Sequence, residues 1–275
     1  MGAAVAFEVL RPDLVAEIHG LDLANPIGRT TLQWLFAVWR GHAVLVFRNQ
    51  AATPDAQLAF SRRLGVLDPA PAFDGESSHL PGYPEVAVVS NIIDDGVAIG
   101  GLGDSELDWH SDMTYEPLPP AACLLCAREV PSRGGDTYFL DMRAAWQALP
   151  AQARNSAARA HIFHDRAFTS AGTRRRGARS GEGAWHAVRR IDPLTGEPSL
   201  LLGRRSNRRI TCNDPTLLET LWQSAANEEH VYRHAWRPGD VVLWNNLAVM
   251  HRRDAFDPSA RRLLLRTQIR RLHPI

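Results

Sequence analysis

The tetrapeptide Trp109-His110-Ser111-Asp112 places an imidazole and a carboxylate two residues apart. In an extended chain, residues i and i+2 face the same side at ~6.5–7 Å, so His110 and Asp112 are predicted to converge. Such a pair is two thirds of a 2-His-1-carboxylate facial triad, which holds iron and leaves positions open for oxygen and substrate. A His-x-Asp tripeptide alone arises often by chance. Roughly 140 residues further on, the strand signal Gly239–Trp244 runs into a polar break at Asn245-Asn246 and then His251, which offers the third ligand. Eleven residues after His251 begins the segment Arg262 to Arg270. Its alternation sets Arg262, Arg266, Gln268 and Arg270 on one face and most of its apolar residues on the other. Standing alone, that strand reads as part of a sheet with a solvated outer face. Two histidines and a carboxylate with an open position also suit catalytic zinc, so a zinc-dependent hydrolase is an alternative.

Other candidate groups have plainer readings. Gly134-Gly135-Asp136-Thr137 follows a predicted strand and reads as a turn. Cys123 and Cys126 look like a redox or zinc pair, but i and i+3 on a strand face opposite sides, so both read as structural. His19, His42, His79, His161, His164, His186, His230, His234 and His273 fit no ligand spacing and are assigned to the surface or a satisfied core. Trp146 and Trp222 occupy helical core positions.

The elements that must carry these groups follow from periodicity. Helices are predicted over Thr30 to Arg40, from Thr53-Pro54-Asp55 to a stop at Gly65, over Asp141 to Leu149 (inner positions Ala144, Ala145, Trp146 and Leu149), and over Pro215 to Asn227. Strands are predicted at 43–47, 85–91, 121–130, 199–202, 240–244 and 263–269, with a glycine-rich loop from Gly96 to Asp104. Residues 166–183 are rich in Gly, Ser, Thr and Arg, including Arg174, Arg175, Arg176 and Arg179, and read as a loop, a mobile lid or surface excursion in preference to a dedicated anion site. No linker divides the chain, so residues 1–275 are expected to form one domain.

Composition bounds the partners. With 275 residues, 45% of them hydrophobic, and a formal net charge of +1, the chain is globular. It lacks the basic field that general nucleic-acid binding requires. All 31 basic residues are arginine, which carries no functional reading. Three cysteines fit a reducing compartment, and neither a signal peptide nor a run of roughly 20 apolar residues is present. A cytoplasmic protein with no membrane association is expected.

Taken together, these stretches resemble the taurine dioxygenase and chlorophenoxyacetate dioxygenase (TauD/TfdA) family of iron(II)- and 2-oxoglutarate-dependent enzymes. The resemblance covers nearly the whole chain. It runs through Ile18-His19-Gly20-Leu21-Asp22-Leu23, Val44 to Gln50, Trp109 to Tyr115, Pro131 to Thr137, Trp236 to Arg253 and Arg262 to Gln268. It implies a mainly β fold with flanking helices around a double-stranded β-helix (jelly roll, cupin-like) core, with His110, Asp112 and His251 as iron ligands. Thr137 and Arg262 would hold the distal carboxylate of 2-oxoglutarate, a task suited to a planar guanidinium. The implied reaction consumes O2, decarboxylates 2-oxoglutarate to succinate and hydroxylates a small organic substrate, in some cases cleaving it. Retention of Asp112 favours hydroxylation over halogenation.

Arg266 matches the sulfonate-contacting position of taurine dioxygenases, which implies an anionic substrate. Asp68, Pro69 and Ala70 stand where those enzymes carry a substrate-binding histidine, and Glu106 replaces an asparagine, so the resemblance does not extend to taurine itself. Glu106 and Asn91 are further candidates to line the substrate cavity; Glu106 could instead face solvent, and Asn91 could instead cap a turn. A homo-oligomer is implied, and a non-catalytic jelly-roll binding protein is a second alternative.

Overall fold

The computed structural model describes residues 4–71, 79–175 and 177–274. Two β-sheets face each other and helices cover their outer sides. The larger, ten-stranded sheet has along its main path Ala6–Arg11, Val15–His19, Val44–Phe47, Val241–Asn245, Ala122–Glu129, Leu263–Leu272, Tyr83–Ser90 and His79–Leu80. The smaller runs Leu107–His110, Val249–Arg253, Thr137–Asp141, Val231–His234. This sandwich of mainly antiparallel strands is the expected jelly roll.

Strand alternation builds two cores from the same residues. In Ala122–Glu129, Cys123, Leu125 and Ala127 enter the core between the sheets, with Phe139, Trp244 and Val249. Leu124 and Cys126 point the other way, against Leu35, Phe36, Trp39, Phe60 and Leu64 of the helices Arg29–Gly41 and Pro54–Leu64. Cys123 and Cys126 therefore lie on opposite faces, as the spacing predicts, and both are free thiols. The second of those helices begins where Thr53 accepts a hydrogen bond from the Ala56 amide and Pro54 occupies the first turn. A third core joins the helices Met142–Ala148 and Leu217–Ala225 to the back of the smaller sheet through Trp146, Trp222, Leu140 and Met250.

Three local expectations are corrected. Ala144 is only half-buried, whereas Met142 and Arg143 are inward, because Asp141 caps this short helix and turns its first residues into the sheet. The helix Ala151–Ala157 shows no apolar stripe in sequence and went unpredicted. The Gly96 to Asp104 region contains regular pairing: Ile93–Asp94 pairs with Val97–Ala98, with Asp95 and Gly96 at φ 46° and 79°, and Gly101–Leu102 joins the larger sheet. The 166–183 segment links two paired strands, His161–Asp165 and Gly183–Ala187, and carries its own hydrogen bonds, Thr169 N to Thr173 O and Arg175 N to Ala167 O. Arg176 lies outside the described residues. Among the described residues, no helix is long and apolar enough to cross a membrane.

Candidate active site

Strand register brings the two histidines together. Leu107–His110 pairs with Val249–Arg253 so that His110 lies directly opposite His251, with ring centroids 4.2 Å apart. The strand ends at His110, and the chain turns through Asp112 into Met113 at φ 50°, a left-handed conformation that a side chain tolerates poorly. The predicted convergence is thus produced by a strand end and a turn. The His110 Nε2 to Asp112 Oδ1 distance is 3.9 Å. One ligand atom from each of His110, Asp112 and His251 falls within 4.8 Å of the others, and all three residues are buried. No other histidine belongs to such a group among the described residues.

The surroundings fix each member. His110 Nδ1 lies 2.7 Å from the Asp108 carbonyl and so donates to it, leaving Nε2 with a lone pair for a metal. Asn246 clamps the Asp112 backbone from both sides: its Oδ1 accepts from the Asp112 amide at 2.8 Å and its Nδ2 donates to the Asp112 carbonyl at 3.0 Å. Ser111 donates to the Val249 carbonyl at 3.1 Å. Both Asp112 oxygens accept from Arg266 Nη1, at 3.1 and 3.2 Å, and the Cys123 thiol donates to Oδ2 at 3.3 Å.

The charge states suit a divalent cation. Burial holds His110 well below the ordinary imidazole range and brings His251 down to about 4, so both rings are neutral, the state in which an imidazole can ligate a metal. Burial pushes the Asp112 carboxyl up, but the Arg266 guanidinium, aided by the Cys123 hydrogen bond, outweighs it and keeps the acid below the usual carboxylate range. His251 Nδ1 is buried without a hydrogen-bond partner.

Two cavities meet at this triad. One of about 300 Å³ is walled by Asp112, Met113, Tyr115, Arg204 and residues 169–171 of the long loop. The other is a narrow slot of about 40 Å³ reaching past His251 to Thr137, Arg253 and Arg262. His110 and Arg266 border both. At the slot's end, Thr137 Oγ1 accepts from Trp236 Nε1 at 2.9 Å, so its own hydrogen is left to donate. Arg262 is 2% exposed, with Nη2 on the Gly135 carbonyl at 3.3 Å and Nε buried without a partner. Gly135 sits at φ 69°, and a Cβ there would come 3.2 Å from Arg262 Nε. The Gly134-Gly135 turn therefore lets the backbone approach this guanidinium. Most of the polar face of the Arg262 strand is covered: Arg262, Arg266 and Gln268 are buried, whereas Arg270 further along is exposed.

The chain matches over residues 6–268 the family model described as taurine catabolism dioxygenase TauD, TfdA family. The chain belongs to the TauD/TfdA family. It is 32% identical to the pentalenolactone F synthase of Streptomyces arenae, the alignment covering 91% of this chain and 90% of that protein. It is also 32% identical to the alpha-ketoglutarate-dependent 2,4-dichlorophenoxyacetate dioxygenase of Cupriavidus pinatubonensis, with 96% of each covered. Among solved structures, it superposes on AAD-2 in complex with Mn(II) and N-oxalylglycine with a TM-score of 0.82 and 29% identity, over 99% of this chain and 98% of that one. TauD/TfdA dioxygenases use Fe(II), 2-oxoglutarate and O2.

For two of the substrate-contact candidates in this TauD/TfdA member, the structure agrees with the alternative reading rather than with a cavity contact. The Glu106 side chain is 66% exposed, lies 3.8 Å from Arg252 and lines neither cavity. Asn91 caps a turn, accepting from the Arg262 amide at 3.0 Å and donating to the Ala260 carbonyl at 2.8 Å. Arg266 does reach the cavity, though it is engaged with Asp112. Asp68 is turned to Arg270.

Asn246, Cys123, Arg253 and Arg204 are the residues that sequence reasoning missed. Arg253 had a usable signal, since it lies two residues after His251 and so faces the same side. It pairs across the sheet with Thr137, and its Nη2 donates to the Leu102 and Ser105 carbonyls. Removing the Asn246 clamp with Asn246→Ala frees the Asp112 backbone. The expected outcome is metal affinity lower by about 10- to 100-fold, as for other groups that orient a ligand, measured by anaerobic Fe(II) titration; unchanged affinity would show that the clamp is dispensable.

Proposed function

We propose that this chain, as an iron(II)- and 2-oxoglutarate-dependent dioxygenase, holds the metal through His110, Asp112 and His251 and hydroxylates a small anionic organic substrate. The observation that carries this is the meeting of three buried ligands with two separate cavities, one of them ending in a guanidinium with a buried, unpartnered Nε. Two neutral imidazoles, one carboxylate and no thiolate among the ligands suit Fe(II). With 2-oxoglutarate and O2 bound, the iron supplies oxidising power coupled to release of succinate and carbon dioxide.

The chain's own residues divide the remaining work. Arg262 and Thr137 bind the distal carboxylate of 2-oxoglutarate, and Gly135 admits Arg262 to that position. Arg253 adds positive charge beside them. Phe139 and Trp244, packed against His251, keep water from that side of the ligand set. Tyr115, Met113 and the 169–171 stretch bound the substrate chamber, and the 166–183 loop acts as its lid. A single catalytic domain, working as a cytoplasmic homo-oligomer without nucleic acid or membrane, completes the reading.

An aerobic assay with Fe(II) tests it. Succinate release is expected with 2-oxoglutarate alone at a low rate, rising when a substrate from a panel of aryloxyalkanoates, sulfonates and sulfate esters is added. The relatives supply that panel, one being an alpha-ketoglutarate-dependent sulfate ester dioxygenase of Pseudomonas putida. Zinc-dependent turnover without 2-oxoglutarate would sink the proposal.

A further inference from the structure

Arg204 lines the larger cavity and has no task in the reading above. It is 6% exposed, yet its side chain makes one hydrogen bond among the described residues, from Nη1 to the Phe168 carbonyl at 2.8 Å. A guanidinium carries five N–H donors. Here Nε is buried with no partner, and no ion pair to Arg204 is found among the described residues. Arg175, a second cation on the same wall, adds like charge. An interior cation held this way is unfavourable unless an anion completes its hydrogen bonding.

The neighbours narrow the class of anion. The guanidinium lies over the Tyr115 ring, 5.2 Å from its centroid, which restrains its orientation. Its backbone bridges to His110, so its distance from the ligand set is fixed by pairing. The adjoining wall is apolar at Leu107 and Met113. Arg266 is placed differently, with Nη1 on both Asp112 oxygens, where it balances the ligand carboxylate.

We propose that Arg204 is the anion subsite for the substrate, taking the carboxylate or sulfonate of a monoanion whose apolar body lies against Tyr115, Leu107 and Met113. Arg266 keeps its place beside Asp112. This deepens the dioxygenase reading and rests on it.

The test uses protein loaded with Mn(II) and N-oxalylglycine, titrated calorimetrically with phenoxyacetate, hexanesulfonate and their neutral amides. Wild-type protein is expected to bind at least one acid about tenfold or more tightly than its amide, the range of a charge-assisted hydrogen bond. Arg204→Gln is expected to remove that preference, whereas Arg266→Gln retains it. Should Arg204→Gln unfold, the ratio is read in Arg204→Lys, where a several-fold drop is expected because the planar fork is lost. A preference that survives at Arg204, a preference that disappears with Arg266→Gln alone, or a wild type that favours no acid would overturn the proposal. Failure of the dioxygenase reading is separate: the protein would then not bind Mn(II) and N-oxalylglycine in the loading step.

Discussion

His110→Ala is expected to abolish Fe(II) binding and succinate formation together, lowering turnover by about a thousandfold or more, because a site with two of its three ligands cannot hold the metal in an open, facial arrangement. The imidazole is central to the geometry. It faces His251 across paired strands, and its tautomer is set by the Asp108 carbonyl, so alanine would remove a candidate ligand that is already oriented. The fold should survive. His110 is neutral and buried, and its loss leaves no buried charge unpaired, since Asp112 still has Arg266. Anaerobic metal titration alongside thermal melting separates the outcomes: lost binding with a retained transition is expected, and retained binding with full turnover would remove His110 from the metal site.

The dependence on neighbours explains how much the sequence revealed. Helices with a cap and an apolar stripe, such as Pro54–Leu64, are local objects, and their limits could be read from Thr53 and Gly65. The His110 and Asp112 pair was legible for the same reason, because two residues of spacing needs no partner strand. Alternation also put Arg262, Arg266 and Gln268 on one side. It could not tell which side is covered, and the smaller sheet that buries them takes two of its strands, Leu107–His110 and Thr137–Asp141, from more than 100 residues earlier in the chain.

Residues whose role is created only by register were invisible. Arg253 meets Thr137 across two strands, Asn246 reaches Asp112 from the loop after Val241–Asn245, and Cys123 finds the ligand carboxylate from the larger sheet. Glu106 and Asn91 kept two open readings for the opposite cause. They sit at irregular positions beside strand ends, where neither parity nor spacing determines which way a side chain points.

Arg262→Ala should raise the 2-oxoglutarate requirement by about a hundredfold or more while leaving Fe(II) affinity unchanged, since a bidentate charge-assisted pair supplies about 1.5–3 kcal/mol per bond. The metal-free protein should not be destabilised, and this sign is the sharper part of the prediction. In wild type, burial together with the neighbouring Arg253 charge brings Arg262 down to about 9, which reports how poorly the fold alone compensates this cation. Deleting it relieves that repulsion and the burial penalty, against which stand the attraction of Asp136, the cavity left by a fully buried side chain, packing against Phe256 and one bond to the Gly135 carbonyl. On the proposed reading the diacid would supply what the protein lacks, so the substitution should weaken cosubstrate affinity without a matching loss of stability. Comparing 2-oxoglutarate with 2-oxovalerate, which has no distal carboxylate, isolates the contact. Wild type should prefer the diacid strongly and Arg262→Ala should reduce that preference, with Arg253 and Thr137 accounting for any remainder. An unchanged preference, or a metal-free melting temperature that drops sharply, would mean that Arg262 is a structural residue and that another group grips the cosubstrate.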